Sequence, residues 1–393
     1  MKKKRIIYPF GEPNLRDTEI RAVERVIRSK WITFGKESIA LERELIAYTH
    51  AKDGAVVNSC TAALHLALIL RGVQPGDEII TTSLTFASTA NTILYMGARP
   101  VFVDINPETL NIDENKIEAA ITSRTKGIVV VHFGGLPCNM RAINAIARKH
   151  KLFVNEDAAH ALGGRIDGKS IGDSQNMVCF SFYANKNLTT VDGGFLATPN
   201  AAFAARARSL RLHGLSTDAW NRFQDKNKLL FEVTDLGFKY NINDVHAAIG
   251  REQLKRFSKS QKKRMSYAAV YDKHFSDIEG VTLQPKHFDN PNIVHALHLY
   301  TIVLDPDRFP QGREAVVHEL RRRGVFAVVH YYPVHLHRLY HERFGYKRGD
   351  FPIVETAGDN ILSLPLLPQV SVAEARQIAT ITRKTLLDFQ KTA

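Results

Sequence analysis

Cysteine is scarce: Cys60, Cys138 and Cys179 are the only thiols in 393 residues. Three cysteines at such uneven spacing exclude a disulfide framework and a thiolate metal centre, and they point to a reducing compartment. Long apolar runs are missing too, and nothing approaches the roughly 20 consecutive apolar residues of a membrane span. The start, Met1-Lys2-Lys3-Lys4-Arg5, has the positive end of a signal peptide, but only Ile6 and Ile7 follow before Tyr8-Pro9-Phe10-Gly11 interrupts the apolar stretch. The expectation is a cytoplasmic protein without a membrane partner. Repeats and low-complexity linkers are also absent, since 24 Gly and 15 Pro are scattered without a period, which excludes a solenoid, a fibre or a disordered chain.

What is present is an ordinary globular composition, 44% hydrophobic and 24% charged. At roughly 150 residues per domain, the length suits one large domain and a smaller one. The charge is one-sided: 53 Lys and Arg against 40 Asp and Glu, formally +13. Such a field attracts phosphates. Because the basic residues are spread rather than striped, with no helix-turn-helix, zinc-finger or RNA-binding signature, an anionic small substrate fits better than nucleic acid.

Periodicity supplies the architecture. Arg16 to Ser29 and Lys36 to His50 carry apolar residues at three- and four-residue spacing, and Ser59 to Leu70 continues as a helix capped by Asn58 or Ser59. Short β-branched runs follow at Glu78 to Thr82, Pro100 to Asp104, Gly127 to His132, Lys151 to Asn155, Met177 to Phe182 and Phe195 to Thr198. Helical stretches at Ser88 to Met96, Asp113 to Ile121 and Met140 to His150 separate most of them. Alternating strands and helices predict an α/β fold with a mostly parallel sheet covered on both faces. After about Asn241 a long charged helix runs from His246 through Arg264 and beyond. Extended Leu299 to Leu304, a helix at Arg313 to Arg323, extended Val325 to His330 and a helix at Val372 to Phe389 then make a smaller C-terminal α+β domain. The expected division is 1–250 for the large domain and 251–393 for the small one.

Two motifs are refused. Gly163 to Ser170 fits the phosphate-loop letters G-x-x-x-x-G-K-S, but it does not leave a strand directly and Ile171-Gly172-Asp173-Ser174 follows where a helix should start. Asp167-Gly168 between short extended flanks predicts a hairpin turn instead. His330, His335, His337 and His341 lie close enough to suggest zinc, but Pro333 interrupts them and no helical histidine pair with a glutamate base accompanies them. No metal is expected there, and the segment reads as a loop near the surface or near a pocket.

A stronger constellation ends two neighbouring strands. Glu156-Asp157-Ala158-Ala159-His160 closes one, and Ser181-Phe182-Tyr183-Ala184-Asn185-Lys186-Asn187 closes the next, ahead of Asp192-Gly193-Gly194. Strand ends of an open parallel sheet face the ligand crevice. A lysine and a carboxylate placed there are the pair that pyridoxal 5'-phosphate requires, one to hold the cofactor covalently and one to keep its ring nitrogen protonated. The helix start Asn58-Ser59-Cys60-Thr61-Ala62-Ala63 offers free amides to a phosphate. Ser181 adds a hydroxyl, and Phe86, after the strand at Glu78 to Thr82, is placed to lie on a flat ring. Taken singly, Thr61 and Ser181 also suit backbone capping, and Phe86 suits the core.

On these residues the sequence resembles the DegT/StrS family of sugar aminotransferases. The resemblance runs from Pro9-Phe10-Gly11 and Ser29 to Gly35 through the motifs above, Gly237-Phe238-Lys239-Tyr240-Asn241 and Ser363-Leu364-Pro365-Leu366. It implies the aspartate aminotransferase-like, type I pyridoxal-phosphate fold. It also implies that Lys186 is the lysine joined to the cofactor, Asp157 pairs with the ring nitrogen, and His160 stands near the ring hydroxyl. Phe86 is the stacking ring, and Cys60, Thr61 and Ser181 form the phosphate cup. Asn241 is implied to reach the phosphate of a neighbouring subunit, hence a homodimer with shared sites. A histidine in place of Lys186 would imply sugar deoxygenation. The lysine implies transfer of an amino group from an amino acid, with glutamate the expected donor, to a nucleotide-linked keto sugar. Leu212 to Ser216, Trp220-Asn221-Arg222 and Lys239 to Asn241 are similar to enzymes that aminate C4 of UDP-linked 4-keto sugars, the 4-amino-arabinose type. Amination at C3 or of a non-nucleotide keto cyclitol, and a catalytically silent regulatory or nucleic-acid-binding protein on the same fold, are the alternatives.

Overall fold

The short β-branched segments assemble into one seven-stranded sheet in the computed structural model, which describes residues 7–216, 232–286 and 290–391. Its strands are β1 (Asp53–Val57), β2 (Glu78–Thr82), β3 (Arg99–Val103), β4 (Thr125–Val131), β5 (Phe153–Asp157), β8 (Met177–Ser181) and β9 (Gly194–Thr198), while β6 (Arg165–Ile166) and β7 (Lys169–Ser170) form a separate hairpin. The order across the sheet is β1-β9-β8-β5-β4-β2-β3. Ladders β2–β3, β2–β4, β4–β5 and β5–β8 are parallel, and β9 alone runs against its neighbours β1 and β8. The carboxyl ends of six strands therefore share one edge with the amino end of β9.

Alternation along the strands loads both faces, as the two-residue period of a pleated strand requires. Ala55, Val57, Met177, Cys179 and Leu196 pack with the helix Cys60–Leu70. Val56, Val178, Phe180, Phe195 and Ala197 pack on the other face with Leu41 and Leu45 of the helix Lys36–Thr49 and with Ala247 and Phe257. In the β5–β8 register Asp157 pairs with Cys179 and Glu156 with Val178. Asp157 consequently faces the Cys60–Leu70 side, and Glu156 faces away from it.

A second sheet, β10 (Val281–Leu283), β11 (Tyr300–Leu304) and β12 (Ile361–Leu364), is antiparallel and covered by the helices Gly312–Arg322 and Val372–Lys391. One helix, Asp244–Phe275, serves both layers: Ala247 and Phe257 belong to the core of the large sheet, while Tyr267, Tyr271 and Phe275 belong to that of the small sheet. Residues 250 and 251, where the sequence reading divides two domains, lie inside this helix.

Some elements differ from expectation. The strand expected at Lys151 to Asn155 is displaced to Phe153–Asp157, so Asp157 is its last residue. Val325 to His330 is no strand; it carries single bridges, Val325 to Tyr8 and Val328 to Ser363 of β12. The strand β1 and the helices Ala201–Leu210, Arg338–Phe344 and Pro352–Asn360 have no counterpart in the sequence reading. Gly54 explains the first of these. A Cβ there would lie 2.4 Å from the Phe195 ring, so the aromatic on β9 fills the place of the side chain whose absence hides the strand pattern. The refused phosphate loop is the β6–β7 hairpin, with Asp167 at φ 51° and Gly168 at φ 79°, the two positive values of a type I′ turn. Trp220, Asn221 and Arg222 lie outside the described residues.

The helix Lys36–Thr49 begins at Gly35, which has no side chain to cap it. Asp244 supplies the cap from the start of the long helix: its Oδ1 accepts from the amides of Gly35 at 2.8 Å and Ser38 at 2.9 Å and from the Ser38 hydroxyl at 2.7 Å. Replacing Asp244 with Ala leaves these buried donors unmatched. The expected loss is about 2 kcal/mol or more, read as a lower midpoint in denaturant unfolding with an unchanged slope.

Candidate active site

The shared strand edge is where the predicted residues meet. Ser59, Cys60 and Thr61 follow β1, Thr85 and Phe86 follow β2, Val131 ends β4, Asp157 ends β5, Ser181 ends β8, and Asp192 and Gly193 precede β9. With Lys186 from the loop after β8 and His330 and Tyr331 from the C-terminal part, they line a pocket of about 390 Å³. That is the size and position of a small-molecule site in an open α/β sheet.

Asp157 is only 4% exposed. Its Oδ2 accepts from the Thr89 hydroxyl at 2.7 Å and its Oδ1 from the Ala159 amide at 3.1 Å, with the Cys60 thiol 4.0 Å away. Since the Thr89 proton goes to the carboxylate, the Thr85 hydroxyl, 2.8 Å from Thr89, must donate to it. None of these partners is a cation. Burial raises the Asp157 pKa, against the opposing pull of Thr89, Ala159 and Lys186. A desolvated carboxylate with neutral partners is suited to a cationic group entering the pocket.

On the other face of β5, Glu156 accepts from Asn176 Nδ2 at 2.8 Å and lies 3.0 Å from His132 Nε2. The Cys138 amide can only donate to His132 Nδ1, 3.1 Å away, so the neutral ring carries its proton on Nε2 and gives it to Glu156. This pair anchors the strand end that presents Asp157.

Lys186 is half-buried, and burial lowers its pKa to about 8, with Cys60 and Asp157 acting to raise it. Its Nζ is 3.4 Å from His298 Nε2. His160 Nδ1 accepts from the Gly134 amide at 3.2 Å, which leaves the ring proton on Nε2, donated to the Tyr331 hydroxyl 3.1 Å away. The Tyr331 proton is then free to point elsewhere, and burial pushes this phenol's pKa upward, so it stays a donor.

At the helix start, Ser59 Oγ accepts from the Ala62 amide at 3.1 Å, and the first-turn amides of Cys60 and Thr61 stand ahead of the helical ladder. Gly194 makes room for this turn: a Cβ there would fall 2.5 Å from Ser59 backbone atoms. Burial pushes the Cys60 thiol well up, so it remains protonated. Phe86 is 62% exposed, not core, and its ring is 6.1 Å from that of Tyr331. The helix-start amides, the hydroxyl of Ser181, the cation-seeking carboxylate and the half-buried amine together form a set of groups that fits pyridoxal phosphate.

Asn241 is the one predicted residue outside this pocket's lining; its Nδ2 donates to the Ile242 carbonyl at 3.1 Å and its buried Oδ1 has no partner within the described chain. Thr89, His298 and Tyr331 were not legible as site residues. They lie 68, 112 and 171 positions from the groups they touch, beyond the reach of any local motif. The histidine-rich segment divides: His330 lines the pocket, and His335 is buried between Ser83 Oγ at 2.7 Å and Glu355 Oε1 at 3.1 Å. His337 and His341 stand four apart at the helix Arg338–Phe344, with Arg338 where a base would be needed. Among the described residues no group of three or more potential ligands could hold a metal, and no helix is long and apolar enough to cross a membrane.

Burial also lowers the pKa values of His65, His160, His295, His298, His335 and, to about 3, His330. For a histidine with a depressed folded pKa, the unfolded chain binds more protons below its ordinary value of about 6.5. The stability from keeping these rings neutral is therefore full above that value and is lost as pH falls from about 6.5 toward 3. Thermal unfolding measured on acidification through this window is expected to show a falling midpoint, with a shallower fall in His330→Asn.

The sequence profile of the DegT/DnrJ/EryC1/StrS aminotransferase family matches residues 13–383. The spore coat polysaccharide biosynthesis protein SpsC of Bacillus subtilis (strain 168) is 43% identical over 372 residues, covering 94% of this chain and 95% of its own. Among solved structures, the putative sugar aminotransferase Spr1654 from Streptococcus pneumoniae in its PMP-form superposes with a TM-score of 0.90 at 28% identity, over 97% of this chain and 99% of that one. Helicobacter pylori PseC, an aminotransferase involved in the biosynthesis of pseudoaminic acid, does so with a TM-score of 0.88 at 30% identity, over 97% of this chain and 100% of that one. The fold is that of the type I pyridoxal-phosphate aminotransferases. The site and the whole-chain match agree: this chain belongs to the DegT/DnrJ/EryC1/StrS aminotransferase family, whose chemistry is pyridoxal-phosphate-dependent amino transfer.

Proposed function

We propose that the protein transfers an amino group from an amino acid, glutamate, to the keto carbon, C4, of a nucleotide-linked keto sugar. The observation that carries this reading is the placing of the Lys186 amine and the buried Asp157 carboxylate on one pocket at adjacent strand ends. When bound, pyridoxal phosphate supplies an electron sink that lets an amino-acid α-proton be removed and an amino group be stored.

The side chains have distinct parts in this proposal. Asp157 would hold the ring nitrogen as a cation, and the Thr85–Thr89 chain holds Asp157. Cys60 and Thr61, through the helix start, and Ser181 would bind the phosphate; Phe86 would cover the ring, and His160 would serve the ring hydroxyl. Lys186 would anchor the cofactor and move the substrate proton. Its pKa of about 8 leaves a sizeable neutral fraction near neutral pH, where an ordinary lysine has almost none. The formal +13 of the chain favours a diphosphate-bearing substrate, and the nucleotide, remote from the reacting carbon, can supply orienting binding energy.

The working unit we propose is a homodimer in the cytoplasm. Asn241, outside the lining of its own pocket, is assigned to a phosphate in the neighbouring subunit, to which the second N–H of its Nδ2 would donate. Three free, buried cysteines suit a reducing compartment.

Purified protein is expected to be yellow and to bleach with glutamate. Incubating the bleached form with a panel of nucleotide keto sugars should restore colour only for the true acceptor. Lys186→Ala should lower amino transfer by at least about 10²–10⁴-fold, and Asp157→Ala should release the cofactor on dialysis. Retained turnover in Lys186→Ala refutes the assignment.

A further inference from the structure

Lys186 stands between two spaces. One is the 390 Å³ pocket, and the other is a polar cavity of about 30 Å³ behind it, lined by Asn185, Lys186, Asn187, Arg264 and His298 among others. His298 faces Lys186 from this rear side and does not line the main pocket.

The protonation of His298 follows from the groups behind it. The Ala296 carbonyl can only accept, so the Asn187 nitrogen, 2.8 Å away, must face it, and Asn187 Oδ1 is the atom turned to His298 Nδ1 at 3.3 Å. Gln261 donates to the same carbonyl and stands beside the Asn187 amide. An amide oxygen can only accept, so His298 carries its proton on Nδ1. In the neutral ring Nε2 is then a bare lone pair, and it is aimed at Lys186 Nζ.

We propose that His298 is the positioning residue for Lys186: its Nε2 accepts one N–H of the amine from the rear, leaving the rest of the nitrogen directed into the main pocket. This rests on the reading of Lys186 as the cofactor lysine. The groups facing the pair are Asp157, Cys60, His160, His330 and Arg264. His160 lies 4.5 Å from His298 ring to ring. Arg264, the lysine and the neighbouring rings oppose a charge on His298, as does burial. The imidazole thus stays an acceptor and is not the resting place of the proton.

An acceptor hydrogen-bonded to an ammonium favours its charged form. Its removal therefore moves the Lys186 pKa further down. The test uses full-length wild type, His298→Leu and His298→Gln, with the Lys186 titration read in cofactor-stripped protein. An amine-reactive reagent is applied across neutral to alkaline pH, and labelling at Lys186 is followed by peptide mapping. Wild type should titrate near 8. His298→Leu should shift the midpoint down by about one unit and, in the loaded enzyme, lower kcat about tenfold or more with little change in KM for the sugar. His298→Gln, whose amide oxygen can also accept, should recover most of both, and all three proteins should unfold at similar temperatures. An unmoved midpoint in His298→Leu overturns the inference, as does a Gln variant that behaves like Leu, which would leave only a packing role. If Leu does not fold, His298→Ala, which also lacks an acceptor, takes its place and is read in the same way: a lowered midpoint supports the inference and an unmoved one overturns it. Borohydride reduction separates the two readings: label on another lysine overturns the role of Lys186 and this inference together, whereas label on Lys186 with an unmoved midpoint overturns this inference alone.

Discussion

The site depends on a buried carboxylate that the protein leaves without a hydrogen-bonded cation. Asp157 sits at the end of β5 among hydroxyl, amide and thiol partners, and desolvation acts on it in the direction of protonation. Isolated buried charges are costly, so the fold surrounds this one with supports. Thr85 and Thr89 form a donor relay to one oxygen, the Ala159 amide holds the other, and the His132–Glu156 pair locks the same strand from its opposite face. Across the pocket the same physics acts on Lys186 with the opposite sign, lowering the pKa of an amine instead of raising that of an acid. Burial thus tunes both members of the pair that cofactor chemistry uses.

The C-terminal part of the chain completes the pocket and is tied to the strand edge by its own buried pair. Ser83, just after β2, meets His335, which in turn meets Glu355, while the Ser83 carbonyl accepts from the Val334 amide. The arrangement has the order of a hydrolase triad, but Ser83 and His335 are both fully buried, so it acts as a clamp. Through it the segment bearing His330 and Tyr331 is held over the ends of β2 and β5. The helix Asp244–Phe275 provides a second tie, since its side chains enter the cores of both sheets.

Much of this was legible in the sequence because it is local. Alternation and run length located six of the seven strands of the large sheet, and Asp167-Gly168 identified the hairpin that displaces the phosphate-loop reading. Lys186 and Asp157 could be paired because each lies at or just beyond a strand end, and parallel strands bring such ends to one edge. The failure at β1 was local too: Gly54 hides it because Phe195 occupies the space its side chain would fill.

The sequence alone determined the fold class, the strand-end placing of Lys186 and Asp157, and a helix beginning within Asn58 to Cys60, since hydrophobic period and chain direction are properties of contiguous residues. Only the tertiary structure decided which side chains meet the groups of the site: Thr89 at Asp157, His298 at Lys186 and Tyr331 at His160. The physical reason is that a pKa or a tautomer is set by burial and by hydrogen-bond partners within about 3–4 Å. Those partners come from segments far away along the chain that meet only when both sheets are packed.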